Sequence, residues 1–196
     1  MNFKKIFFII FIYILGLNNI NALEPDLFVQ STVDRASKIL SENISKDEKI
    51  NQLKKIAKET VDIKGVGFYS LGPIRKNLNN EQKIKYSIIF EQYFLKSFSS
   101  RLAEYTNPEI DVLGKEILSE NYTIVNSLLK GTKERPEVKI DWRIYTKNPN
   151  NPLIRDLIIE GLSLARTQKE EFSSVLNSND GDINVLFKTL EDFINN

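Results

Sequence analysis

The chain contains neither histidine nor cysteine among its 196 residues. Histidine is the commonest general base near neutral pH, and cysteine thiolates act as nucleophiles and zinc ligands. The sequence also has no Walker A phosphate-binding loop, and no pair of acidic residues stands out as a catalytic site. We therefore expect no catalytic residue, no metal site and no cofactor, and we expect that the protein is not an enzyme.

An excess of charge of either sign is missing as well. The chain carries 27 basic and 26 acidic residues, for a formal net charge of +1. A nucleic-acid-binding protein needs a basic surplus clustered on one face. We see no such cluster and expect no nucleic-acid partner. Because the chain cannot form disulfides, an exported form must be stabilised by its hydrophobic core, which suits a bacterial envelope protein.

The first 22 residues have the pattern of a secretory signal peptide. Two lysines precede a nearly unbroken apolar run over residues 6–17, and the segment ends at the small residue Ala22. A transmembrane anchor is the competing interpretation, but the run is shorter than the roughly 20 apolar residues that span a bilayer. We predict that residues 1–22 are a cleaved signal peptide and that residues 23–196 form a single exported domain.

Helical spacing of apolar residues dominates the first half of this domain. It predicts a helix over 25–40, a second that starts at a capping box at Ser45, and a short segment over 62–71. The longest predicted helix, 81–105, is rich in Phe and Tyr, and its apolar arc is too wide for a one-sided amphipathic helix. It is either buried on two sides, which is the simpler interpretation, or it borders an apolar ligand.

Alternating apolar and polar residues dominate the second half. They predict four strands, at 110–118, 122–130, 138–145 and 156–160. Gly161 ends the fourth strand, a helix is predicted from Leu162, and another helix runs to Ile194. The predicted fold class is α+β: a four-stranded antiparallel sheet covered by several helices, enclosing an apolar cavity and NTF2-like in outline.

Four segments carry a resemblance to a known family. They are FVQSTVDRASKIL at 28–40, Leu71-Gly72 followed by an aromatic helix with Tyr86, Phe90 and Phe98, the R-L-x-x-Y motif at 101–105, and DLIIEGLS at 156–163 with Phe172 behind it. In this order they resemble the MlaC family of periplasmic phospholipid-binding proteins, also described as toluene-tolerance or auxiliary ABC-transport components. The resemblance covers nearly all of residues 24–194.

The resemblance implies a soluble periplasmic carrier that takes a phospholipid between an outer-membrane lipoprotein complex and an inner-membrane ABC transporter. Such a carrier maintains the lipid asymmetry of the outer membrane, and we expect it to be a monomer whose residues 23–196 form one lipid-binding domain. Because burying each methylene group contributes about 0.8 kcal/mol, acyl chains cross an aqueous compartment only inside an apolar concavity, here on the order of several hundred Å³.

The expected concavity lies between the long helix and the apolar face of the sheet. The residues that we predict to contact lipid are Phe68, Leu71, Phe90, Phe94, Phe98, Val125, Ile140, Trp142, Leu157 and Ile159. One alternative is an NTF2-like binder of small hydrophobic ligands, or an enzyme of that fold with an acidic residue or histidine in its pocket. Another is a structural adaptor whose core is filled.

Overall fold

The computed structural model describes residues 23–133 and 135–196, so the predicted signal peptide lies outside the described residues. In chain order the elements are α1 (Pro25–Ser41), α2 (Lys46–Thr60), α3 (Ile63–Ser70), a 3-10 helix (Gly72–Lys76), α4 (Asn80–Leu102), β1 (Ile110–Ser119), β2 (Tyr122–Leu129), β3 (Val138–Tyr145), β4 (Leu153–Ile159), β5 (Leu162–Ser163), α5 (Leu164–Asn177) and α6 (Ile183–Asn195). Within those two ranges, no helix combines the length and the apolar character needed to cross a bilayer.

The strands form one antiparallel sheet in the order of the chain, which confirms the predicted α+β class. The sheet has five strands rather than the predicted four. The additional strand is β5, which pairs back onto β4 through a turn with left-handed backbone at Glu160 (φ 49°) and Gly161 (φ 82°). A two-residue strand is too short to show alternation, and for that reason the sequence pattern placed the start of the next helix at Leu162 instead of Leu164.

Side-chain caps fix where the predicted helices begin. At the start of α2 the Ser45 hydroxyl accepts a hydrogen bond from the Glu48 N–H, which is one half of the predicted capping box, whereas the Glu48 carboxylate accepts from the Gln52 side chain. At the start of α4, Asn79 Oδ1 accepts from the Gln82 N–H (2.8 Å), and Gln82 Oε1 accepts from the Asn79 N–H (3.0 Å). These bonds satisfy N–H groups that have no partner within the helix.

The long helix α4 is the centre of the helical layer and contacts α2, α3 and α6. Its Tyr86 and Phe90 are only 1% and 2% exposed. The Tyr86 hydroxyl donates to the carbonyl of Gly67 in α3 (2.8 Å), and a Cβ at Gly67 would lie 2.7 Å from Phe90 Cδ1. The absence of a side chain at Gly67 therefore permits the close packing of α3 on α4.

A bulge in β4 determines which of its side chains face the helices. Ile144 pairs with Ile154 and Arg143 pairs with Asp156, so Arg155 is an extra residue in the ladder. Leu157 pairs with Trp142, and Ile154 and Leu157 thus share one face of the sheet despite their odd spacing. That face carries the candidate site.

Candidate functional site

An open cavity lies between α4, the β3–β4 half of the sheet, and α5. Its interior volume is about 180 Å³, and the unfilled space reaches about 970 Å³ when the open mouth is included. The lining side chains are Val61, Val66, Phe90, Tyr93, Phe94, Ser97, Phe98, Arg101, Trp142, Ile154, Arg155, Asp156, Leu157, Leu164, Ala165, Thr167, Gln168 and Glu171. The interior is smaller than the several hundred Å³ expected from the sequence.

One wall of the cavity is aromatic. Phe94 stacks on Phe98, with ring centroids 5.3 Å apart and planes at 12°, and on Phe90 at 6.2 Å and 27°. Opposite them Trp142 of β3 is 8% exposed, and its Nε1–H donates to the Ser127 hydroxyl (2.8 Å). Because the polar atom of the indole is satisfied within the sheet, its apolar surface is left for the cavity.

The other wall is polar and is formed where α4 faces α5. Tyr93, Ser97 and Arg101 follow one another at four-residue steps on α4. The Tyr93 hydroxyl donates to Gln168 Oε1 (3.0 Å), and Gln168 Nε2 donates to Glu171 Oε2 (3.0 Å). Burial raises the pKa of Tyr93, so this hydroxyl is neutral and available as a donor. The cavity is therefore amphipathic across its width.

The buried carboxylate of Asp156 attaches α5 to the sheet. Asp156 is 5% exposed; its Oδ1 accepts from the Ala165 N–H (3.0 Å) and its Oδ2 accepts from the Ser163 hydroxyl (2.6 Å). Ser163 in turn caps the helix, because its oxygen accepts from the Arg166 N–H (3.0 Å). The guanidinium of Arg143 lies 3.5 Å from Asp156 Oδ2. This network fixes the first turn of α5, which supplies the third side of the cavity.

The bulged residue Arg155 attaches α3 to the sheet on another side of the cavity. Its Nε–H donates to Asp62 Oδ2 (2.7 Å), its Nη1–H donates to the Tyr122 hydroxyl (2.6 Å), and its guanidinium lies 3.6 Å from the centre of the Tyr145 ring. Asp62 also caps α3 by accepting from the Gly65 N–H (2.9 Å). The charge of Arg155 is thus neutralised by Asp62.

The structure brings half of the sequence-predicted site residues to the cavity. Those that line it are Phe90, Phe94, Phe98, Trp142 and Leu157. Leu71, Val125 and Ile140 are buried in the hydrophobic core outside the lining. Phe68 is partly buried against that core, and Ile159 is half-buried on β4, and both are also outside the lining. Val125 is on β2, which α1 covers together with β1, whereas the cavity lies over β3 and β4. Lipid contact by the lining residues stays a prediction.

Sequence reasoning missed the polar wall and the contribution of α5. The missed lining residues are Val61, Val66, Tyr93, Ser97, Arg101, Ile154, Arg155, Asp156, Leu164, Ala165, Thr167, Gln168 and Glu171. The four-residue steps from Tyr93 to Arg101 were available as a signal. The position of α5 could not be predicted, because it depends on the two-residue strand β5 and on the burial of Asp156. The alternation in β4 places Asp156 on the polar face of the strand and does not show that its carboxylate is buried.

The acidic groups of the cavity do not form a metal site or a paired-carboxylate site. Within 23–133 and 135–196, no three His, Cys, Asp or Glu side chains come together as a set of metal ligands. The carboxylate of Asp156 accepts hydrogen bonds from the start of α5, and Glu171 is exposed at the rim of the cavity. What the arrangement can do is shelter an apolar chain along one wall while polar groups face it from the other.

Comparison with known proteins agrees with this geometry. The family described as "MlaC protein" matches residues 30–192 of the chain. Among solved structures, the phospholipid-binding protein from Ralstonia solanacearum, in complex with a phospholipid, superimposes with a TM-score of 0.74 at 18% identity, over 88% of this chain and 97% of that one. No curated protein sequence matches. At this identity the structural likeness concerns the fold.

Proposed function

The chain belongs to the MlaC family, and on that premise we propose that it is a phospholipid-binding protein of the periplasm rather than an enzyme. The observation that carries the proposal is the open cavity between α4, the sheet and α5, one wall of which is built from stacked Phe rings. A folded protein normally fills such space, since each unfilled gap beside apolar side chains costs stability. An apolar ligand that completes the packing accounts for the gap.

The acyl chain is the part of the lipid that fits this cavity. Each methylene transferred from water contributes about 0.8 kcal/mol, so a chain of ordinary length supplies enough free energy to hold the lipid without a specific head-group contact. The interior of about 180 Å³ lies below the range of roughly 300–1,000 Å³ typical of ligand pockets. A bound chain must therefore also occupy the open mouth, or move α4 away from the sheet.

We further propose that the protein is a monomeric carrier that exchanges phospholipid with an outer-membrane lipoprotein complex and an inner-membrane ABC transporter, and so maintains outer-membrane asymmetry. The sequence contains no Walker A loop, so any energy for moving lipid has to come from such a partner. Residues 1–22 would direct export as a cleaved signal peptide, and residues 23–196 would form the lipid-binding domain.

The alternatives drawn from the sequence have less support. An NTF2-like enzyme needs an acid or base inside the pocket, whereas Asp156 is occupied by its bonds to the start of α5 and Glu171 is exposed at the rim. A structural adaptor needs a filled core, whereas a cavity with an aromatic wall remains open here.

Organic extraction of the purified exported protein, followed by mass spectrometry, tests the proposal. We expect phospholipid in molar proportion to the protein, because a carrier that shields acyl chains from water retains its ligand through purification. An unrelated periplasmic protein, purified in parallel from the same cells, sets the background. Recovery of phospholipid no higher than that background would contradict phospholipid binding and favour the alternatives.

A further inference from the structure

Two of the charged side chains that line the cavity have no counter-ion among residues 23–133 and 135–196. The charged lining residues are Arg101, Arg155, Asp156 and Glu171. Arg155 is paired with Asp62, and Asp156 is paired with Arg143. Arg101 makes no side-chain hydrogen bond or ion pair within the described ranges. Glu171 accepts only the neutral amide of Gln168, at 3.0 Å. One guanidinium and one carboxylate thus lie at the mouth of the cavity without a counter-ion among the described residues.

Both charges stand at the rim of the polar wall. Arg101 is on the last turn of α4 and Glu171 is on the facing side of α5, and both are exposed while lining the cavity. Tyr93 lies near both charged groups. Burial raises the pKa of Tyr93, the negative charge of Glu171 raises it further, and the positive charge of Arg101 lowers it. A ligand that enters along the aromatic wall would have its polar end beside these two groups.

We propose, on the basis of the phospholipid-binding function above, that Arg101 and Glu171 select a zwitterionic phospholipid, with Arg101 binding the phosphate diester and Glu171 binding the ammonium of an ethanolamine-type head group. An Arg guanidinium matches the two free oxygens of a phosphate diester, and a carboxylate accepts hydrogen bonds from a primary ammonium. An anionic head group such as phosphoglycerol offers the phosphate without the ammonium. It would leave Glu171 unpaired beside a second negative charge.

The size of the selection follows from the exposure of both groups. Ion pairs at exposed positions contribute little because water screens them, and a single pair changes affinity by about two- to five-fold. We therefore expect the acyl chains to supply most of the binding and the charge pair to supply a preference. A head group without acyl chains is not expected to bind.

Loading from vesicles tests this selection. The full exported protein is incubated with vesicles of equal parts phosphatidylethanolamine and phosphatidylglycerol that carry identical acyl chains, and the lipid recovered per mole of protein is measured by class. Wild type should enrich phosphatidylethanolamine about two- to five-fold. Glu171→Gln should bring the ratio close to that of the vesicles, and Arg101→Gln should lower the recovery of both lipids. Added glycerophosphoethanolamine, which has no acyl chains, should displace neither.

The matched controls are Arg166→Gln and Glu170→Gln, which remove the same charges from exposed positions of α5 outside the cavity lining. Both should keep the wild-type ratio. The head-group assignment would be overturned if wild type and Glu171→Gln had equal ratios of phosphatidylethanolamine to phosphatidylglycerol, or if glycerophosphoethanolamine displaced the bound lipid. Phospholipid binding itself would stand in either case. Failure of every protein to acquire any lipid would overturn the proposed function, and the assignment with it.

Discussion

Replacing Phe90 by alanine should lower the free energy of unfolding of the lipid-free protein by about 3–5 kcal/mol, as is usual for a buried aromatic ring. The same change at Phe94, one turn further along α4, should cost only about 1–2 kcal/mol. Phe90 is 2% exposed and packs on Phe172 and on the backbone of Gly67. Phe94 is half-buried and already borders open space, so its truncation creates little new cavity.

Urea unfolding of stripped wild type and of the two alanine variants measures this difference. A second variant, Phe94→Gln, should stay folded but lose at least about five-fold in phospholipid retention, because burying an unpaired amide against an acyl chain costs about 1–3 kcal/mol. The matched control is Ile88→Gln on the same helix, which is 56% exposed and lies outside the cavity lining. Equal destabilisation by both alanine substitutions, with unchanged lipid in Phe94→Gln, would place Phe94 in the ordinary core.

Replacing Asp156 by alanine should cost about 2–4 kcal/mol, because it removes the acceptor for a buried backbone N–H and a hydroxyl. The affected donors are the Ala165 N–H and the Ser163 hydroxyl, and both lie at the start of α5. Since α5 forms one side of the cavity, the folded fraction of this variant should also retain less lipid. Asp156→Asn keeps one acceptor oxygen and should lose less stability than the alanine variant.

The comparison for this prediction is Asp182→Ala. Asp182 caps α6 through the Asn184 N–H (2.9 Å) at an exposed position, and losing such a cap costs about 1 kcal/mol. Thermal or urea unfolding of both variants measures the loss in the free energy of unfolding that each substitution causes. A loss for Asp156→Ala no larger than that for Asp182→Ala would show that the buried network does not hold α5.

Local signals in the sequence were sufficient to predict the class of fold. The cap at Ser45, the helical spacing over 81–105 and the alternation through Trp142 each depend on neighbouring residues only, and the structure has a helix or strand at each of these places. The fifth strand was missed because two residues cannot show a period. The end of α4 was placed at Tyr105 instead of Leu102 because one further aromatic residue, Tyr105 itself, follows the last helical turn at helical spacing.

The cavity was only partly predictable, because it depends on which elements cover the sheet. The phenylalanines of α4 and the pair Trp142 and Leu157 followed from periodicity. Val125 and Ile140 share that sheet face, but both are buried in the core outside the cavity lining, and the packing of α1 over β1 and β2 accounts for Val125 only. The bulge at Arg155 was also invisible, since one extra residue in a ladder changes the pairing without changing the apparent alternation.

The central claim, that acyl chains occupy the space between α4, β3–β4 and α5, can be tested with Trp142. This residue is the only tryptophan of the chain, and it lines that space while being 8% exposed. The measurement is its fluorescence after loading with a phospholipid whose acyl chains are brominated, because bromine quenches tryptophan only at near contact. The same lipid without bromine, bound in equal amount, is the reference. We predict a strong loss of Trp142 emission with the brominated chains, and equal emission from the two loaded proteins would contradict the account.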